Sequence, residues 1–158
     1  MEKERMIGLL QKLYDGEPWI DVTLKSTLGK LTAEQAAARA LEKCNTIWEI
    51  VNHLITWRNT VKERIKYNPI KTPGNNYFEK VLDTSKTAWV ETLKKLDDSQ
   101  NDWVAFLNNL NENDLQKTES ASQMTYYELI RGIIQHDAYH LGQIVIMSKT
   151  NKIELLET

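Results

Sequence analysis

Apolar residues recur at three- and four-residue intervals along most of this chain, the period of a helix with one buried face. Over about residues 2–15 the stripe is Met6, Leu9, Leu10 and Leu13, and it stops at Gly16. Pro18 suits the opening of a short second helix, because a first turn leaves its N–H unpaired in any case. Trp19, Ile20, Val22, Leu24 and Leu28 follow, up to a break at Gly29. Thr32-Ala33-Glu34-Gln35 carries the reciprocal capping pattern and starts another short helix, through about Leu41. A second box, Thr46 with Glu49, opens a longer helix with the stripe Ile47, Ile50, Leu54, Trp57, Val61 and Ile65, ending before Asn68-Pro69. Residues 69–74 form a loop. From about Asn76 to Leu110 the stripe runs Phe78, Leu82, Trp89, Leu93, Leu96, Trp103, Leu107 and Leu110. Unbroken, that helix would be about 50 Å long, with a bend expected at Asp97-Asp98-Ser99. A third box, Thr125 with Glu128, opens the last helix, which runs to about Thr150 and turns Leu129, Ile133, His136, His140, Ile144 and Met147 inward.

Four substantial helices without a strand pattern predict an all-α protein, a four-helix bundle with one or two short extra helices in the first long connection. The 158 residues suit one domain spanning 1–158, and six glycines with three prolines are few breakers, as long helices require. Twenty Lys and Arg against twenty-two Asp and Glu leave a net charge of −2, without the basic surface that nucleic-acid binding needs. The single cysteine, Cys44, excludes an internal disulfide and a cysteine-cluster metal site. No long apolar run and no leader-like N-terminus is present, so a soluble, cytoplasmic protein with no membrane partner is expected.

The chemistry lies in the three histidines. His136 and His140 are four residues apart, about 6 Å along a helix, and point the same way. They stand on the inward stripe between Ile133 and Ile144. His53 lies at the apolar face of the second long helix, between Ile50 and Leu54. Three neutral imidazoles with open positions would make a catalytic-type site for a first-row cation. The plainer reading is three hydrogen-bonded core histidines, and spacing alone leaves both open.

Two sets of residues carry a resemblance. Gly16-Glu17-Pro18-Trp19, Leu31 to Ala36 and Thr46 to Leu54 form one set, and Gln135-His136-Asp137-Ala138-Tyr139-His140-Leu141-Gly142-Gln143-Ile144 the other. Together they resemble the DinB-like, DNA-damage-inducible family, in element order over nearly the whole chain. The resemblance implies an up-down-down-up four-helix bundle and a divalent metal held by His53, His136 and His140. Zinc or nickel is the metal it implies first, with iron or manganese also compatible. It further implies a homodimer and a small-molecule substrate, with low-molecular-weight thiols used by characterised members.

A thiol S-transferase acting on a small electrophile is therefore the first expectation. A metal-dependent hydrolase, or a non-catalytic metal-binding module, is the alternative. Around the triad, Glu49 reads as a base or as a capping residue. Gln143 would orient a ligand or bond a neighbouring helix, and Trp57 is a pocket wall or a core residue. Asp137 is expected on the helix surface or in an interhelix polar contact, and Cys44 as a small apolar filler.

Overall fold

The computed structural model describes residues 1–66 and 70–154, with side chains as far as 150. Among the described residues six α-helices follow in order: α1 Glu2–Tyr14, α2 Leu24–Leu28, α3 Ala33–Ala37, α4 Ile47–Ile65, α5 Lys86–Asn109 and α6 Tyr126–Glu154, with a 3-10 turn, Glu112–Gln116, before the last. The capping boxes at Thr32, Thr46 and Thr125 all form, each threonine oxygen accepting a backbone N–H while the acidic or amide partner reaches back. Among the described residues no helix is long and apolar enough to cross a membrane.

Side-chain pairs fix the direction of each long helix. Trp48 donates to Thr92 and Arg58 to Ser99, so α4 and α5 run parallel. Tyr14 donates to Asp97, whereas Lys3 reaches the carbonyls of Asn108 and Leu110, so α1 opposes α5. His53 meets His136 and His140, and Arg58 meets Asp137, while Val61 and Ile65 share a cluster with Ile130 and Ile133, so α6 opposes α4. The order is up, down, down, up, as the resemblance implied. Two parallel neighbours, α4 and α5, need a connection that travels the length of the bundle, and its described part is residues 70–85.

The core divides into two apolar clusters. One gathers Leu13, Leu24, Leu28, Trp48, Trp89, Leu96 and Leu141, and the other Met6, Leu10, Val61, Trp103, Leu107 and Ile130. Between them lies a polar layer with a contribution from each long helix. Arg58 and Asp137 are both 1% exposed and meet at 2.6 Å; Nη1 of Arg58 donates to Ser99 at 3.1 Å. The guanidinium also stands 5.7 Å from the Tyr14 ring centroid, and the Tyr14 hydroxyl donates to Asp97 at 2.5 Å.

Several expectations are corrected. The helix expected from Asn76 begins only at Lys86, because Asp83 and Ser85 form a cap that starts α5 afresh. Leu82, assigned to the stripe, is 89% exposed. At residues 97–99, where a bend was expected, α5 continues without interruption, and Asp97 and Ser99 serve the layer just described. Pro18 opens no helix; Thr23 caps α2, and Trp19 and Leu9 are exposed. The α3 helix stops at Ala37, short of Leu41. Asn68-Pro69, the expected stop after α4, lies outside the described residues, and α4 itself ends at Ile65.

Removing one member of a buried ion pair strands the other charge, whereas replacing both with apolar groups of similar volume is often tolerated. Arg58→Met or Asp137→Asn alone should therefore lower the unfolding free energy by about 3–5 kcal/mol in urea titrations at neutral pH. Arg58→Met with Asp137→Leu should restore most of the loss. A double variant no more stable than the singles would count against this account.

Candidate metal centre

The α4–α6 seam carries the three histidines together. Their ring centroids are 4.9, 4.9 and 4.5 Å apart, and one ligand atom from each falls within 4.8 Å of the others. His53 is 1% and His140 5% exposed, while His136 is half-buried.

Two of the rings have their tautomer set by an acceptor. Nδ1 of His53 lies 2.8 Å from the Asn76 carbonyl, which can only accept, so Nδ1 carries the proton and Nε2 keeps its lone pair. Nδ1 of His140 is 2.7 Å from the Gln143 amide oxygen, and the Gln143 amide nitrogen donates onward to the Tyr139 hydroxyl. Both Nε2 atoms are thereby available to a cation. Nε2 of His53 also lies 3.0 Å from Nε2 of His136, whose Nδ1 is buried without a partner. Two ring nitrogens at that distance need a proton or a cation between them. The donor set fits a divalent first-row ion, for which imidazole is a suitable ligand.

Burial reinforces this. Desolvation, and then the neighbouring His140, bring His53 down to about 4; desolvation with His140 and His53 brings His136 to about 3. His140 is lowered as well, mainly by burial. All three rings are neutral at pH 7, the form that ligates metal.

The connection after α4 completes the site. Arg64 holds the carbonyl of Ile70, and the chain turns through Pro73–Asn76. Asn76 and Tyr77 both take left-handed backbone conformations, with φ of 52° and 61°. That turn aims the Asn76 carbonyl at His53 and lays the Phe78 ring flat on the imidazole, 3.8 Å away at 7°. Neither Asn76 nor Phe78 was read from the sequence as part of a site. The signal available was Pro73-Gly74-Asn75-Asn76, which is turn chemistry immediately before two aromatics.

A cavity of about 600 Å³ opens in front of the triad, its apolar wall including Ile50, Phe78, Ile146 and Met147. Gln143 lines it and orients His140, as one of its two readings expected. Trp57 stands edge-on to His53 and His136 without lining the cavity. Glu49 is a capping residue: it accepts from the Thr46 amide at 2.8 Å, and Arg39 takes both carboxylate oxygens. Asp137 makes the interhelix contact and is not on the surface. Cys44 is exposed on the cavity wall, which overturns its reading as an apolar filler.

The depressed imidazoles generate a pH dependence with a defined sign. The unfolded chain takes up protons below the ordinary histidine value of 6.5, while in the folded chain His53 stays neutral to about 4 and His136 to about 3. With chelator present, the melting temperature should fall as pH drops from about 6.5 towards 4.5, before the carboxylates titrate. His53→Asn with His136→Asn should flatten that slope. A melting temperature independent of pH over this interval in the unsubstituted protein would contradict the burial argument.

Comparison with known proteins adds one result. The family model of the DinB superfamily matches residues 22–144, a span that starts before α2 and includes all three histidines. No curated protein and no solved structure gives a significant match. With the matched span covering most of its length, the chain belongs to the DinB superfamily.

Proposed function

We propose that this protein is a metal-dependent enzyme in which His53, His136 and His140 hold a divalent cation, zinc or nickel first among the candidates. Its reaction is the transfer of a low-molecular-weight thiol to a small electrophile. When bound, the cation supplies Lewis acidity, drawing the proton from a thiol or water that shares it. Three histidine ligands leave room for such an exogenous group.

One observation favours a thiol over water as nucleophile. Among the described residues, no carboxylate lines the cavity: Asp137, next to His136, is paired with Arg58, and Glu49 has its oxygens engaged by Arg39 and the Thr46 amide. Metal-bound water, even with its pKa lowered to about 7, is usually oriented by such a base, which also passes a proton to the leaving group; a coordinating thiol is deprotonated outright and needs no base. The chain's own side chains do the rest. Phe78, Ile50 and Met147 give the cavity an apolar wall that excludes water around a reacting thiolate. Gln143 holds the His140 ring in place and is itself held by Tyr139.

Purified protein should carry close to one divalent ion per chain by elemental analysis. His140→Ala should lose it while keeping its helical circular dichroism. Gln143→Ala should weaken metal affinity by about 10–100-fold, the usual effect of removing a group that orients a ligand. Metal-loaded protein should consume a thiol and an electrophile together, and His140→Ala should not. Folded protein that binds no metal on titration would overturn the reading. Turnover of hydrolysable esters or amides without thiol would replace transfer by hydrolysis.

A further inference from the structure

The charge around the triad is unbalanced. A dication held by three neutral rings keeps its full double charge, unlike one held partly by carboxylates. The nearby acidic groups are already matched: Asp137, buried beside the triad, pairs with Arg58, and Glu49 pairs with Arg39. Among the described residues lining the cavity, no aspartate or glutamate appears, and Lys43 is the one charged side chain. Lys43 is exposed and has no carboxylate partner among the described residues. Its neighbours on that wall, Leu41, Cys44 and Asn45, carry no charge. The loaded cavity is thus a positive field with an apolar wall, and one thiolate neutralises only part of it. Such a field concentrates anions and repels cations.

We infer that the cavity selects a reactant bearing a carboxylate, and that Lys43 is the side chain that receives it. This rests on the metal-centred thiol reading above and adds the substrate class. The carboxylate belongs either to the thiol or to its electrophilic partner, and the two sources can be separated experimentally.

Cobalt(II)-loaded protein provides the readout, because sulfur ligation gives a charge-transfer band and other ligands perturb the d–d bands. Three thiols differing in charge are titrated: 3-mercaptopropionate, 2-mercaptoethanol and cysteamine. Succinate and succinamide form the thiol-free pair. If the carboxylate is on the thiol, 3-mercaptopropionate binds tightest and cysteamine weakest. Lys43→Met then weakens the acid by about threefold to fivefold, the range for an exposed charge pair. It leaves 2-mercaptoethanol unchanged, and Lys43→Arg restores the difference. If the carboxylate is on the electrophile, the same Lys43 dependence appears with succinate and is absent with succinamide, while the thiols rank alike.

Equal binding of charged and neutral ligands, or a preference indifferent to Lys43→Met, overturns the inference, and a sulfur band in that sample leaves the thiol reading standing. Cobalt uptake without any sulfur band overturns the thiol reading, and the succinate pair still decides the role of Lys43. Protein that takes up no cobalt overturns both.

Discussion

The ion pair between Arg58 and Asp137 sets the terms for the rest of the structure. Two charges removed from water must find each other, and leaving either unpaired is far more costly than any neighbouring contact. Because Arg58 is on α4 and Asp137 on the antiparallel α6, satisfying the pair fixes how far one helix slides against the other. Asp137 follows His136 directly and precedes His140 by less than a turn; Arg58 lies little more than a turn beyond His53. A shift of α6 by one turn would separate the charges and carry His136 and His140 away from His53. The register that buries the ion pair is therefore the register that assembles the triad. The layer reaches α5 through Ser99 and α1 through the Tyr14 ring. Four helices are thus aligned at the level where the two apolar clusters meet.

The second constraint is local and comes from the connection after α4. Left-handed backbone at Tyr77 is unfavourable for a residue with a bulky side chain, and it persists where surrounding contacts over-determine it. Here those contacts are the Asn76 carbonyl on His53, the Phe78 ring stacked on the same imidazole and the Tyr77 ring edge-on to Trp57. The first two fall on His53 itself, and the third on the indole behind it. The connection has to travel the bundle because α4 and α5 are parallel, and passing over the α4–α6 seam turns that requirement into a wall that orients His53. Topology and chemistry are joined at Asn76.

What could be read from the sequence follows from what each signal measures. The stripes of α4 and α6 and the three capping boxes depend on neighbours within one or two turns, so periodicity captured them: Ile47, Ile50, Leu54, Val61 and Ile65 are all buried. The spacing of His136 and His140 is equally local. Asp137 was harder, because a charged residue beside a ligand looks like a surface position until its partner 79 residues away is known. The centre of the α6 buried face is in fact Ile130, Ile133, Asp137, Leu141 and Ile144, with the ligands at its flank. The segment from Asn76 to Ser85 misled for the opposite reason. Phe78 and Leu82 extend the helical period by coincidence, and only the turn chemistry at 73–76 and the caps at 83–85 oppose it. Phe78 is apolar because it covers an imidazole, a reason that spacing cannot express.

These constraints also bear on whether the histidines serve structure or chemistry. A structural metal site stands in for a core that the chain cannot otherwise build, and such domains unfold when the ion is removed. This chain already has two apolar clusters, a buried ion pair and indole hydrogen bonds from Trp48, Trp89 and Trp103 that tie α5 to α4 and to the α2–α3 connection without the triad. His53 and His140 are held by Asn76 and Gln143 in the orientation a cation requires. A fold that positions its ligands before the ion arrives spends stability on preorganisation, leaving three neutral rings desolvated and His136 Nδ1 unpaired. That expenditure is difficult to explain for a domain whose core stands without it. It fits the proposed open metal site in front of a 600 Å³ cavity, whose three histidines would have to keep their places while reactants come and go.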